Sequence, residues 1–500
     1  MSLVTLNAHD ADLRIPGFGG LLQFGDGINA DPRTACDAVN VDTTGGVLQP
    51  AGAHEQLVPE IAAGPMETLA FLHRRWYPGG DRDLLIAAAA GQLYCKTLAG
   101  EAWAMLELPE DWAGDSYASS SWSWVTYEIN DEEAENPVDA LFLSNAQDGM
   151  IYVRGDDLSV HAISTPKKFG VIARYGERIW GGSIPDDPDM LVYSAPFDPT
   201  DWTANQDIPA DGAGDVMQPS WDGDSFHALR QLGSQLIAFK RNRIWRVMNT
   251  DPAEFVFKEQ YGGGTQYFNT IAVDGEHIFM LGDEGIMIYD GLQAAYFQKE
   301  ACRDIFAGMN KTALDQACAC MWRGTYYCAF PTGTDTANSI VLMYNTKEQT
   351  WLVRNDVSVE SFLPTNDDLF FTSSAAPGKI YKWGADAWTS GKAVPGAVWT
   401  GAWQDFNQKT IRKGGFELYL TVEAKADCTI TFGIETEKRR KDKAVAFKAT
   451  AGTARQRAVR FGGTGRRFRL IIASNTPEGT APAAWRMIGG IQLRAEIDAD

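Results

Sequence analysis

The chain predicts an all-β protein, a β-propeller of six or seven blades followed by a small C-terminal β-sandwich. Three observations predict it. Hydrophobic periodicity is almost everywhere two, or a short continuous apolar run, between Gly, Asp, Asn and Pro punctuation. One two-strand unit returns at spacings that suit propeller blades. The charge reverses sign near residue 391, where strands of a different composition begin.

Five hundred residues can bury a large core in two or three domains, and 45% hydrophobic with 11% aromatic content is globular rather than disordered. No apolar run approaches the roughly 18 residues of a membrane-spanning helix. The opening "MSLVTLNAHDADLRIPG" has no basic flank before an apolar core, so no signal peptide is expected and synthesis is expected in a cytoplasm. The seven cysteines (36, 95, 302, 318, 320, 328, 428) are odd in number and scattered through strand-like segments, which argues against a disulfide framework. Cys318-x-Cys320 near Cys328 has no second CxxC or HxxxH partner, so buried free thiols are expected rather than zinc.

Residues 1–60 read as an N-terminal β extension, rich in glycine and turn chemistry, with strand candidates at 37–42 and 46–49. Residues 61–390 read as the propeller. Its units share an apolar strand, a turn, a second strand ending in an aromatic, and a polar loop. They are 84–96 ("LLIAAAAGQLYCK"), 140–153, 178–194, 235–247, 277–290, 325–345 and 368–383. Taking Leu85, Leu141, Ile179, Leu236, Ile278, Tyr326 and Leu369 as equivalent, the steps are 56, 38, 57, 42, 48 and 43 residues. Strand-only repeats near 40–50 residues are the signature of propeller blades. Helical spacing occurs only around 302–322, for a few turns.

In "SIVLMYNTKEQTW" (339–351) a strand stops at Tyr344, six polar residues follow, and the chain restarts on Trp351. Tyr94…Trp103, Tyr289…Phe297 and Tyr381…Trp388 repeat the cadence. The second aromatic is expected to open the next strand and fill the splayed gap between sheets.

After "GKAVPG" (391–396), a linker candidate, residues 391–500 read as a basic β-sandwich with strands such as 416–424, 428–436, 467–474 and 488–497. This segment carries 19 Lys+Arg against 11 Asp+Glu, whereas the other 390 residues hold 25 against 54. Two surfaces of opposite sign imply two environments or two partners. The acidic bulk argues against sequence-specific nucleic-acid binding by the large domain.

Catalytic motifs are largely absent: no GxxxxGK[ST], HExxH, GxSxG or EF-hand loop is present. Gly17-Phe18-Gly19-Gly20 lacks a strand-to-helix context, and "YGGGTQY" (261–267) lies between strands, where a phosphate cradle would need a following helix. The six histidines are not spaced as metal pairs. The Asp-rich segment 207–224 (Asp207, Asp211, Asp215, Asp222, Asp224) supplies hard oxygen ligands for Ca²⁺, or simply Asx turns. Paired carboxylates in a propeller funnel also suit glycoside hydrolysis, but the S-x-D-x-G-x-T-W box of sialidase blades is missing. No catalytic, cofactor or metal residue is therefore assigned. The candidate interaction surface is the basic set Lys438, Arg439, Arg440, Lys441, Arg466, Arg467 and Arg469, suited to DNA phosphates or an acidic partner, or else a solvated turn and face.

The segment "GINADPRTACDAVNVDTTGGVLQPAG" (27–52) resembles the opening of tail hub, nozzle and packaged-DNA stabilisation (neck) proteins of tailed bacteriophages. Gln49-Pro50 departs from the usual basic-Pro, and Ala51 separates Pro50 from Gly52. The run 141–202 ("LFLSNAQDGMIYV…LVYSAPFDPTDW") is similar to that family's middle. The resemblance implies a virion protein of the tail or neck, assembled as an oligomeric ring through which DNA passes. It implies portal, adaptor or other tail proteins as partners, transient non-specific DNA contact, and no catalysis. The competing readings are a propeller hydrolase or lyase on bacterial surface glycan, and a propeller lectin.

Overall fold

The computed structural model describes residues 4–6, 10–23, 28–57, 61, 64–98, 100, 102–130, 136–217, 223–249, 255–260, 263–450, 453–475 and 482–498. Six four-stranded antiparallel ladders follow one another at 68–105, 123–163, 171–217, 228–260, 272–296 and 318–354. A seventh is built from Val359–Pro364, Leu369–Ser373, Ile380–Lys382 and, from the other end of the chain, Glu55–Leu57. The innermost strand of each sheet neighbours the first or second strand of the next, and that of the seventh meets that of the first. The ring is a closed β-propeller of seven blades.

The second strand of a blade is flanked by a neighbouring blade on both faces, which is why those strands read as unbroken apolar runs. Val138–Asn145 is buried at every position, and Asp83–Ala89 at every position but its first. Two-residue turns at Ala90-Gly91 and Arg323-Gly324 carry positive φ at both residues (49° and 72°, 48° and 75°). That is the hairpin geometry matching strand twist, and it explains the glycines there.

Leu57, Gln56 and Glu55 pair with Ile380, Tyr381 and Lys382, so the N-terminal segment completes the last blade. Buried Arg354 fixes this closure. Its guanidinium donates to the carbonyls of Gly52 and Gly384 (3.0 Å each) and grips Asp356 (2.7 Å), with His54 alongside.

The sandwich has two sheets. One runs in spatial order Val4–Leu6, Asp10–Ile15, Trp485–Asp498, Arg412–Ala424 and Arg455–Gly465. The other runs Ala35–Val39, Val398–Gly401, Phe468–Asn475, Cys428–Thr436 and Arg440–Phe447. Through a parallel bridge between Val39 and Val353 the second sheet continues into blade 6, making one sheet of nine strands. A single apolar cluster spans both parts, from Phe279, Tyr326 and Trp351 in blades 5 and 6 to Trp399, Phe432 and Leu493 in the sandwich.

Residues 1–60, expected as an extension, do not stand apart. They supply two strands of one sandwich sheet, the strand joining sandwich to propeller, and the strand closing blade 7. The strand candidates 37–42 and 46–49 become Ala35–Val39, Val41–Asp42 and Gln49–Pro50. The helical spacing near 302–322 gives one turn, Arg303–Ala307, before the chain returns to strand at Cys318–Trp322.

Trp351 does open the outermost strand of blade 6. Its ring lies 4.5 Å from Tyr344 and 6.2 Å from Phe297 of blade 5, and its indole N–H donates to Gln298 (2.8 Å). Gly20 passes so near that a Cβ there would sit 2.3 Å from the Trp351 carbonyl oxygen. Phe297 and Trp103 also flank short outermost strands. Trp388 differs: it lies in the one-turn helix Ala387–Ser390, under the Arg486 guanidinium at 4.1 Å. It joins propeller to sandwich because blade 7 takes its last strand from the N-terminus instead.

Candidate functional site: a cationic cleft at the sandwich tip

Cys428–Thr436 and Arg440–Phe447 form the hairpin farthest from the propeller, and its turn holds Glu437, Lys438 and Arg439. A second turn, between Arg455–Gly465 and Phe468–Asn475, holds Arg466 and Arg467. A third segment, leading from Val398–Gly401 into Arg412–Ala424, carries Lys409 and ends on Arg412. The three meet around a cleft of about 510 Å³ lined by Lys409, Arg412, Lys438, Arg466 and Arg467, with Ile28, Asp405 and Glu437.

Those five cations form no ion pair among the described residues, whereas Arg440, Lys448, Arg460, Arg469, Arg486 and Arg494 elsewhere in the sandwich each do. The two carboxylates in the cleft are occupied internally. Asp405 accepts from the Asn29 amide and the Asn407 backbone N–H, both at 2.7 Å. Glu437 accepts from the backbone N–H groups of Arg466 (2.8 Å) and Arg467 (3.3 Å). Burial pushes the Glu437 carboxyl up, but these donors and the Arg467 charge hold it below its ordinary value. It stays an anion spent on shaping the turn.

Beneath the cleft lies Lys413, fully buried, whose ammonium donates to the carbonyls of Gln408 and Arg466 (2.8 Å to the latter). Burial lowers its pKa, with Asp405 and Glu437 acting in the opposite sense. Arg467 also stacks over Trp403 at 5.1 Å. The cleft is therefore preformed, and it suits an anionic ligand.

The structure divides the sequence-derived set. Lys438, Arg466 and Arg467 converge on the cleft. Arg439 is exposed in the same turn without lining it. Arg440 is neutralised by Asp442 (2.7 Å), Lys441 is half-buried along the strand, and Arg469 is tied to Glu435 (2.8 Å) and stacked on Trp403 (4.9 Å). Charge density in the sequence found the tip. It missed Lys409, Arg412 and Lys413, which belong to a segment of mixed composition and reach the tip only through the fold.

Other expectations resolve as follows. Cys318 and Cys320 pack in the seam between blades 6 and 7, Cys328 faces the opposite seam, and burial drives all three thiols up, Cys328 to about 12. Of the Asp-rich segment, 207–217 forms the outer part of blade 3, Asp224 binds the region of Lys240 and Arg241, and Asp222 lies outside the described residues.

No family model matches the sequence, and no curated protein does. Among solved structures, the chain is similar to the WD40 domain of Pan2 from Neurospora crassa, at 12% identity over 66% of this chain and 91% of that one (TM-score 0.35). It is also similar to the β-propeller domain of the Trilobed protease from Pyrococcus furiosus, at 10% identity over 63% and 95% (TM-score 0.33). A third is BBS1N, solved in complex with ARL6DN, at 10% identity over 67% and 97% (TM-score 0.41). Fold and site together define a seven-bladed propeller fused to a sandwich that ends in a cationic cleft.

Proposed function

We propose that this protein is a non-catalytic structural component of a tailed-bacteriophage particle, a wall-forming ring protein of the tail or neck. The observation that carries the reading is mechanical and electrostatic at once. A nine-stranded sheet joins propeller to sandwich as one body, and free cations gather at the end of that sheet while the rest of the chain is acidic. Such a body acts by shape and charge: it needs no moving part, and it offers a surface for a partner of opposite sign. The resemblance of segments 27–52 and 141–202 to tail and neck proteins supplies the biological setting. In that setting a ring of acidic propellers repels a passing phosphodiester chain and lets it slide.

Negative-stain microscopy of the purified protein, with mass spectrometry of purified particles, tests this. Rings or short tubes, and the chain present in particles, are expected. A protein that stays monomeric at every concentration and is missing from particles would end the proposal.

A further inference from the structure

Blade 6 carries the sandwich, and in a closed ring of seven the blades farthest from it are 2 and 3. The shared sheet runs outward from the channel through nine strands, so at about 4.8 Å per strand the basic hairpin lies roughly 38 Å from the innermost strand. The rim of blade 3 is thus at the other end of the molecule.

That rim is distinctive. Between Arg178 and His227 the sequence has ten Asp and no Lys, Arg, His or Glu. Asp187 is paired with Lys167 and Asp189 with Lys240. Asp207, Asp211 and Asp215, on the outer part of blade 3, are exposed and form no ion pair among the described residues. Phe197, Ile208 and Met217, exposed at 63%, 54% and 49%, belong to the same outer segment. No other blade concentrates as many exposed large apolar side chains among the described residues. Apolar groups set among unpaired acids mark an interaction surface rather than a scatter of single exposures. The segment is also preformed: the buried Arg178 guanidinium donates to the carbonyls of Ser194 (2.6 Å), Gly212 (2.7 Å) and Ala210.

We propose that this acidic, apolar rim of blade 3 is the docking surface for the cationic sandwich tip of a second copy of the chain, head to tail. The inference rests on the ring reading above and names its contact. Both surfaces are rigid before they meet, so little ordering entropy opposes the contact. Their signs are opposite, and the tip brings Ile28 and Trp403 as apolar partners. A twofold dimer would have to close both tip-to-rim contacts at once between surfaces at opposite ends of the molecule, whereas a head-to-tail contact uses one at a time and propagates into a closed ring or a filament. A polyanion on the tip alone would leave the blade 3 surface without a role.

The test uses two full-length charge-reversal variants, Arg466→Glu/Arg467→Glu at the tip and Asp207→Lys/Asp211→Lys at the rim. All four side chains are exposed, and circular dichroism checks folding. Sedimentation velocity at low ionic strength should show salt-sensitive assembly of the parent and at least tenfold weaker assembly of each variant alone. An equimolar mixture should regain assembly, because the intact tip and rim still match and the reversed tip now meets a reversed rim. A mixture of folded variants that stays unassembled overturns the proposal, as does parent assembly that nuclease abolishes. Assembly of either variant at parental strength removes this contact while leaving the ring reading intact. A parent that never assembles brings down the ring reading itself.

Discussion

Arg354 shows how a single side chain ties three segments of this chain together. It sits on the last strand of blade 6, its side chain 1% exposed, and it binds the N-terminal segment through Gly52, blade 7 through Gly384, and its own counter-ion Asp356. Burial pushes the Asp356 carboxyl up, but the Arg354 guanidinium and the His54 imidazole pull it far below the usual carboxylate range. Burial holds His54 below its ordinary value, with Asp356 opposing and Arg354 adding to the effect. Both shifts mean that the unfolded chain binds protons more readily than the folded one, so stability falls as pH falls. Full stability is expected above about pH 7, a first loss as pH drops through about 6.5 where unfolded His54 protonates, and a second below about 4 where unfolded Asp356 does. Asp356→Asn should remove the second loss and cost about 3–5 kcal/mol at neutral pH, because it strands a buried guanidinium. Urea melts of parent and variant across that range check it. A variant as stable as its parent at neutral pH would remove the pair from this account.

Among the elements, Glu55–Leu57 does the most for its length. It pairs with Ile380–Lys382, and without it blade 7 would end in an open strand edge at the seam with blade 1. The preceding strands are equally committed: Asp10–Ile15 pairs with residues 491–496, and Ala35–Val39 with Val398–Gly401. Removal of residues 1–57 is therefore expected to abolish a soluble, cooperatively folded protein rather than to trim a tail. Expression with far-UV circular dichroism and a thermal melt decides. A truncated chain that melts cooperatively near the parental temperature would contradict the pairing.

At the scale of the whole molecule, propeller and sandwich share a sheet and an apolar cluster, and no loose linker divides them. In the linker candidate 391–396, the Lys392 carbonyl accepts from the Ala53 N–H (3.0 Å), the Val394 N–H donates to the Ala51 carbonyl (3.0 Å), and Gly396 packs beside Asn40. Two autonomous domains would unfold in two steps, but elements that share a core unfold together. Differential scanning calorimetry should give one transition with equal calorimetric and van't Hoff enthalpies. Two resolved transitions, the smaller sized for the sandwich alone, would show that the halves are independent.

The local physics is legible along the chain. Each of the seven hairpins read from alternating and apolar runs is the middle of a blade, because a strand buried between sheets must be apolar wherever it pairs. Tyr344 and Trp351 likewise announced their own contact, since a short polar loop leaves cross-strand neighbours little freedom. What joins distant segments was not written locally. Nothing in "EQL" at 55–57 says that it pairs with 380–382, and nothing around Val39 says that it bridges to Val353. Three-residue strands carry almost no pattern, and their partners are chosen by what the rest of the fold leaves open. The same holds at the tip. Lys438, Arg466 and Arg467 stood out as charge, but the fold added Lys409, Arg412 and Lys413 and cancelled Arg440 and Arg469, because pairing and burial depend on neighbours in space.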